Sequence, residues 1–339
     1  MLSRPRLLGH EPVHRRTFLF ATAALLAASL AHAQQTEKVR RIGYLSFEAA
    51  ESEPGRRNQR LFRESLRRVG YEEGRNLTIE WRFAEGKPDR LDELAQDLVR
   101  RDVELIVALT NAPILAAQRA SSTIPVVMFI GVVPVELGIV ESLARPGGQV
   151  TGTVWTSPEM PGKVAQILKE AAPGAARVAL LWNPSSPVNK VYESEQQRAA
   201  RTLGMTYQYF DVTRAEEVPA VLKRIAASRA DALHVLYDPV VGGRLREIVA
   251  FAIQHKLVSI GSARAVVNTG GLLYYGPVAS DIADQTAGYV DRILRGAKPA
   301  DLPVQMPRKY ELVINAKTAR AIGYKIPPVL ALRADETID

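Results

Sequence analysis

Residues 88–109 read PDRLDELAQDLVRRDVELIVAL. The first half sets Leu91, Leu94, Ala95, Leu98 and Val99 at helical spacing, an apolar stripe on an otherwise charged segment. The second half, Val103 to Leu109, is a nearly continuous apolar run that ends at Thr110. A strand reads this way when helices cover both faces of its sheet, as they do in parallel sheets. Helix followed by doubly buried strand is half of a βαβ unit.

Outward from this stretch the same rhythm continues. RIGYLS at 41–46 and LTIEWRF at 77–83 are strand-like, with a helix expected over 56–69 and closed by Gly70. Downstream, a helix is expected over 112–120, a strand over 125–130 and a helix over 135–143. The pattern restarts past residue 150. Strands are expected at 177–182 (RVALLW), 206–210, 232–237 (ALHVLY) and 257–261, with helices near 159–172, 188–203, 215–228 and 243–256. Alternation of this kind implies parallel sheets with right-handed crossovers. Two runs of it imply two doubly wound lobes, which suits 339 residues better than one core does.

Three breaks divide the runs: Pro146-Gly147-Gly148 through Pro158, Gly270-Gly271 followed by LLYYGP, and the proline-rich stretch 298–307. Each reads as a crossing between lobes. The expected division is 39–152 plus 277–305 for lobe 1 and 155–273 plus 308–335 for lobe 2. Three crossings between two parallel-sheet lobes describe a hinged clam that holds a ligand between strand ends.

The N-terminus reads as an address. Arg15 and Arg16 precede the apolar run TFLFATAALLAASLA at 17–31, which ends at Ala31-His32-Ala33. That run is shorter than the about 20 residues of a membrane span, and a small-x-small ending fits signal cleavage after Ala33. The paired arginines point to a twin-arginine signal over residues 1–33, with a general secretory signal as the alternative. Mature protein is therefore expected outside the cytoplasm, in the periplasm, with His234 and His255 as its histidines. Four arginines against Glu11 place +3 of the +8 net charge in this segment. The remainder contains no run of five like charges, which argues against a nucleic-acid partner.

The residues that carry chemistry point the same way. With no cysteine, thiol nucleophiles, disulfides and zinc-thiolate sites are excluded. Neither HExxH nor GxSxG occurs, and the glycine pairs form no phosphate loop. His234, inside an apolar strand, reads as a core histidine, and no metal site or cofactor is expected.

Several segments in order resemble one family. They are RIGYLS at 41–46, EGRNLTIEWRFAEGKPDRL at 73–91, SLARPGGQVTG at 142–152, LLWNPSSP at 180–187, ADALHVLYDP at 230–239, GGLLYYGP at 270–277 and the stretch 290–328. The chain resembles the ABC-transporter substrate-binding proteins with the type I periplasmic-binding fold, some of which bind aromatic amino acids. The resemblance implies a monomeric solute-binding protein that delivers a small molecule to the membrane permease of an ABC importer, and no catalysis. An amino acid or small carboxylate is the expected ligand. A periplasmic partner of a membrane sensor, or an exported hydrolase, are the alternatives. The departures sit at strand ends. Thr110-Asn111-Ala112 stands where the family has Gly-Thr-Pro, and Val133-Pro134 where it has Asp-Pro.

On that fold, Ser46 is a candidate donor to a carboxylate, against a turn or capping role. Thr110 and Asn111 precede a helix whose free N–H groups favour an anion. Trp155 is a candidate wall near the first crossing. Asn183 is expected either at the ligand or at a Pro turn. Tyr237 and Asp238 end a strand, with Asp238 placed to meet an ammonium or to shape an Asp-Pro turn. Ser262 and Arg264 follow the next strand, and Arg264 is a candidate carboxylate clamp. Of Tyr274 and Tyr275, one faces the cleft by alternation, and Tyr275 is the candidate.

Overall fold

The structure is a computed structural model that describes residues 39–155, 157 and 159–339. The export signal expected over residues 1–33 lies outside the described residues. From Arg40 onward the chain forms two sheets.

Sheet 1 contains β1 (Arg40–Ser46), β2 (Leu77–Phe83), β3 (Ile106–Leu109), β4 (Val126–Gly131) and β5 (Val150–Val154) in the order β2-β1-β3-β4-β5, parallel throughout. The helices between them are α1 (Glu53–Arg68), α2 (Leu91–Arg100) and α3 (Asn111–Ala120). Alternate strand residues face opposite helix layers, as the period of two requires. Ile42, Tyr44, Val107 and Phe129 pack against Phe62 and Leu66 of α1. Leu45, Ile106, Ala108 and Met128 pack against Leu91, Ala95 and Leu98 of α2 and against Ile114 of α3.

Local signals explain the element ends. Ser52 caps α1 by accepting from the Gly55 amide, and Pro54 in its first turn needs no donor. Gly152 holds φ +131° and lies so close to the Met128 backbone that a Cβ would fall 2.4 Å from its carbonyl oxygen. Only glycine fits there, beside the register shift between β4 and β5.

The helix expected over 135–143 does not form. Gly138 takes φ +66° and the stretch closes instead as turns, in which Ile139 and Val140 both donate to the Pro134 carbonyl. Ile139 and Val140 are buried all the same, so the apolar pattern reports burial rather than helix.

Sheet 2 contains β6 (Arg177–Trp182), β7 (Thr206–Asp211), β8 (Ala232–Val235), β9 (Val258–Gly261), β10 (Leu273–Pro277), β11 (Tyr310–Asn315) and β12 (Glu336–Ile338) in the order β12-β11-β10-β9-β8-β6-β7. One face packs on α4 (Met160–Ala171) and α5 (Pro187–Thr202), the other on α6 (Val218–Ala227) and α7 (Leu245–Gln254). Between β10 and β11 the chain visits sheet 1. There α8 (Ala279–Leu294) buries Ile282, Tyr289 and Val290 beside α1. Gln305 then runs alongside β5, bonded to the Gly152 carbonyl and the Val154 amide. Because β11 starts from this crossing, where β10 ends, it pairs antiparallel to β10, and sheet 2 is mixed rather than purely parallel.

Candidate functional site

A cavity of about 670 Å³ lies where the carboxyl ends of the two sheets face each other. That volume falls in the range of about 300–1,000 Å³ typical of small-molecule sites. In open parallel sheets, strand carboxyl ends are where ligands bind, because the loops there are free of the core and helix N-termini converge on them.

Sheet 1 contributes Phe47 and Glu48 after β1, Thr110 after β3, and Ile130 and Val132 around the end of β4, with Arg57 and Asn58 from α1. Thr110 has φ 71° and ψ 171°, a region that β-branched residues almost never enter. Ile130 (φ 68°) and Val133 (φ 46°) are likewise left-handed. Asn111 holds this strained rim. Its side-chain amide donates to the Val132 carbonyl at 3.0 Å and its Oδ1 accepts from the Val132 amide at 2.9 Å. Its polar atoms are thereby committed to the backbone. The N–H groups of Asn111 and Ala112 open α3 and stand outside its ladder, while Pro113 has none.

From sheet 2 come Tyr237 and Asp238 beyond β8, Ser262 and Arg264 beyond β9, and Tyr275 on β10. The Ser262 hydroxyl accepts from the Tyr237 amide at 2.8 Å and so joins the two loops. Asp238 caps the one-turn helix Pro239–Gly242 by accepting from the Val241 amide at 2.8 Å through Oδ1. Tyr275 stacks on Tyr310, with ring centroids 5.9 Å apart. Tyr274 also borders the cavity, but it is fully buried and donates to the Pro277 carbonyl. Trp155 lines the cavity while packing on the core of sheet 1.

Two sequence candidates sit behind the wall. Ser46 is buried and its hydroxyl accepts from the Glu48 amide. Asn183 is buried, with Oδ1 taking the Ser185 amide in the turn before α5. Neither borders the cavity. Arg264 borders it, but its guanidinium pairs with Glu311 at 2.7 Å and also with Glu336. Burial alone would lower its pKa, and the two carboxylates outweigh that and raise it. A cation so committed is a poor carboxylate clamp.

Arg57 is the cation that sequence reasoning missed. Its Nε is buried with no hydrogen-bond partner among the described residues. Beside it, burial pushes the Glu48 carboxyl up, and Arg57 only partly offsets this. Tyr237, across the cleft, is raised by burial first and then by the charge of Glu48. Glu48 therefore acts on both walls. The signal was present in α1, where Pro54, Arg57 and Asn58 share one face, one turn before the buried Phe62. Polar residues such as Arg57 and Asn58 on the line of an apolar stripe mark a face that turns from core to cleft.

His234, Gln196 and Asn189 were missed as well. His234 is 2% exposed; its Nδ1 lies 3.2 Å from the Tyr207 hydroxyl, and its Nε2 has no partner among the described residues. Desolvation lowers its pKa to about 4, so the ring is neutral near pH 7. The expected core histidine is thus only half satisfied, and it borders the cavity. Among the described residues no cluster of three His, Asp or Glu side chains is placed to hold a metal. No helix among them is long and apolar enough to cross a membrane.

Residues 52–338 match the family described as ABC transporter substrate binding protein. The chain belongs to that family. A tyrosine-binding protein of Clostridioides difficile is 25% identical over 262 residues, which cover 77% of this chain and 75% of the relative. A crystal structure of a conserved domain protein from Vibrio cholerae matches at 26% identity and TM-score 0.80, covering 88% of this chain and all of that one. The structure of an ABC domain from Streptococcus pneumoniae in complex with L-Trp matches at 25% identity and TM-score 0.80, covering 88% and 99%. This is a family of solute-binding proteins, not of enzymes. The ABC substrate-binding chain has the two-lobed α/β fold of its neighbours.

Proposed function

We propose that this substrate-binding protein captures an amino acid, or a related small carboxylate, between its lobes outside the cytoplasm and delivers it to the permease of an ABC importer. The observation that carries the reading is the division of charge in the cavity. Arg57 and the open N–H groups of α3 offer a seat for a carboxylate. Glu48 and Asp238, one from each wall, offer a seat for an ammonium. A zwitterion answers both, and its ammonium offsets the burial that pushes the Glu48 carboxyl up. Aromatic walls from Phe47, Trp155, Tyr237 and Tyr275 suit a flat or apolar side chain. The tyrosine-binding relative and the L-Trp complex support an amino-acid ligand. The Arg15-Arg16 pair and the apolar run to Ala33 support export.

Titration calorimetry of the full chain with the L-amino acids and short organic acids tests the reading. A ligand that needs both its ammonium and its carboxylate is expected, with binding lost on methyl esterification or N-acetylation. Absence of heat and of any melting shift from every amino acid and organic acid at millimolar concentration would overturn it.

A further inference from the structure

On its sheet 2 side the cavity is bordered by residues of α4, α5 and the end of β8, a set of walls we call its sheet 2 branch. Its walls are Met160 and Val164 from α4, Asn189 and Gln196 from α5, His234 on β8 and Leu236 just beyond it. The spacings agree with one wall from each element. Met160 and Val164 are i and i+4, Asn189 and Gln196 are i and i+7, and His234 and Leu236 alternate along an extended run. None of these six side chains carries a charge near neutral pH.

Within this lining the packing is unusual. The space between two helices and a sheet is ordinarily filled with apolar groups, and that is how the neighbouring positions behave. Ala232, Leu180, Leu168 and Ile260 on the same face are all fully buried. His234 and Gln196 interrupt this layer. Both are more than nine-tenths buried, at 2% and 3% exposed. His234 Nε2 and Gln196 Oε1 each lack a hydrogen-bond partner among the described residues, and both residues border the cavity. Burying polar atoms without partners works against folding, and leucine in either place would avoid it. A cost of this kind is retained where a ligand supplies the missing partner.

We infer that the branch is a side-chain pocket for an uncharged hydrogen-bonding group, and that His234 Nε2 and Gln196 Oε1 recognise a hydroxyl, amide or ring N–H at the end of the ligand. The inference rests on the amino-acid reading above and deepens it to a class: amino acids whose side chains reach past the charged seat and end in a neutral donor. As placed, Gln196 Oε1 accepts, so the ligand group that meets it donates. His234 adjusts through its tautomer. When the Tyr207 hydroxyl accepts from Nδ1–H, Nε2 accepts from the ligand; when Tyr207 donates to Nδ1, Nε2–H donates to it. A phenol hydroxyl, which donates and accepts, satisfies either arrangement. A charged terminus would enter a branch with no counter-charge and lose its hydration.

The matched pair L-tyrosine and L-phenylalanine tests this directly. Tyrosine is expected to bind at least about 10-fold tighter, the effect of one buried hydrogen bond made or left unmade. In Gln196→Met and His234→Leu that preference is expected to shrink to about 2-fold or less, with phenylalanine binding kept or improved. Equal affinity in the wild type, or a preference unchanged in both variants, would overturn the pocket while leaving amino-acid capture standing. Two readouts are independent of that capture. Gln196→Met is expected to raise the melting temperature of the ligand-free protein; a lower one would show that the amide is structurally satisfied. Phenol at millimolar concentration is expected to shift the His234 ring resonances, assigned by their loss in His234→Gln, while toluene leaves them in place. A response to both probes, or to neither, would sink the inference even if no amino acid binds.

Discussion

At the scale of single residues the cleft is a set of polar groups whose structural and ligand duties overlap, and substitutions can be chosen to separate them. Asp238 caps the one-turn helix after β8 and faces the cavity at the same time. Asp238→Asn keeps the cap, since asparagine caps as well as aspartate, and removes the charge. It is expected to leave the ligand-free melting temperature nearly unchanged and to weaken amino-acid binding by about 1.5–3 kcal/mol, the range for a hydrogen bond to a charged group. Asp238→Ala is expected to do the same to binding and to destabilise the apo protein by about 1 kcal/mol as well. Calorimetry and apo melting on both variants read the difference. Glu48 supplies a pH signature. Burial raises its folded-state pKa above its ordinary value, which favours the protonated form in the apo fold, and its contribution to apo stability is lost as pH rises through the folded-state pKa. An ammonium ligand favours the ionised form. Affinity is therefore expected to fall with decreasing pH earlier than an ordinary carboxylate would dictate, and to lose that dependence in Glu48→Gln. A pH-independent affinity between neutrality and mild acid in the wild type, at constant ligand charge, would remove Glu48 from the ammonium seat.

At the scale of elements, the rim of sheet 1 shows how strain is held at a site. Thr110, Ile130 and Val133 all have positive φ, and Asn111 ties the second strand end down through two hydrogen bonds to Val132. Thr110→Gly is expected to stabilise the protein by about 1 kcal/mol, because glycine accepts φ 71°, ψ 171° without strain. Asn111→Ala is expected to cost about 1–3 kcal/mol, two hydrogen bonds at the usual net value, and to loosen the rim. Chemical denaturation of both variants checks the pair of signs. These elements also show what was legible in the sequence. VELIVAL and RVALLW hold the buried strands Ile106–Leu109 and Arg177–Trp182, because continuous apolar runs are satisfied between two helix layers; the first strand is shorter than the expected 103–109. The helical stripe at Leu91, Ala95 and Leu98 was equally plain. The run 135–143 misled because burial and helix share a periodicity, and a single left-handed Gly138 decides between them. At the site, strand ends announced Thr110, Tyr237 and Asp238, since the fold fixes where strands end. Arg264 announced itself too, but its two carboxylate partners come from Glu311 and Glu336, 47 and 72 residues onward. No local pattern carries that. Arg57 and His234 lie inside a helix and a strand, where the sequence shows a residue type but not the cavity beside it.

At the scale of the whole molecule, the three chain segments between the sheets decide what binding can do. They follow β5, follow β10 and precede β11. The third is tied to β5 through Gln305, and Arg308 in it pairs with Asp281 of α8 at 2.9 Å. The crossings are thus anchored at the sheet 1 side, and a rotation between lobes falls on the few residues beyond those anchors. A ligand gains contacts from both walls only when Glu48 and Arg57 on one side and Asp238, Gln196 and His234 on the other reach it together. Binding energy that exists only in one arrangement shifts the population toward it. Saturating ligand is therefore expected to lower the radius of gyration in solution scattering. Fluorescence offers a local check, because Trp155 borders the cavity and is one of three tryptophans, the others being Trp81 and Trp182. The emission change on binding is expected to vanish in Trp155→Phe while the compaction persists. Compaction should be smaller in Asp238→Asn at ligand concentrations that still saturate the site, since that variant keeps Gln196 and His234 on sheet 2 but loses the charged contact that favours closure. A radius unchanged by saturating ligand in the wild type would mean that the lobes form a fixed cleft, with affinity set by sheet 1 and sheet 2 groups already in place.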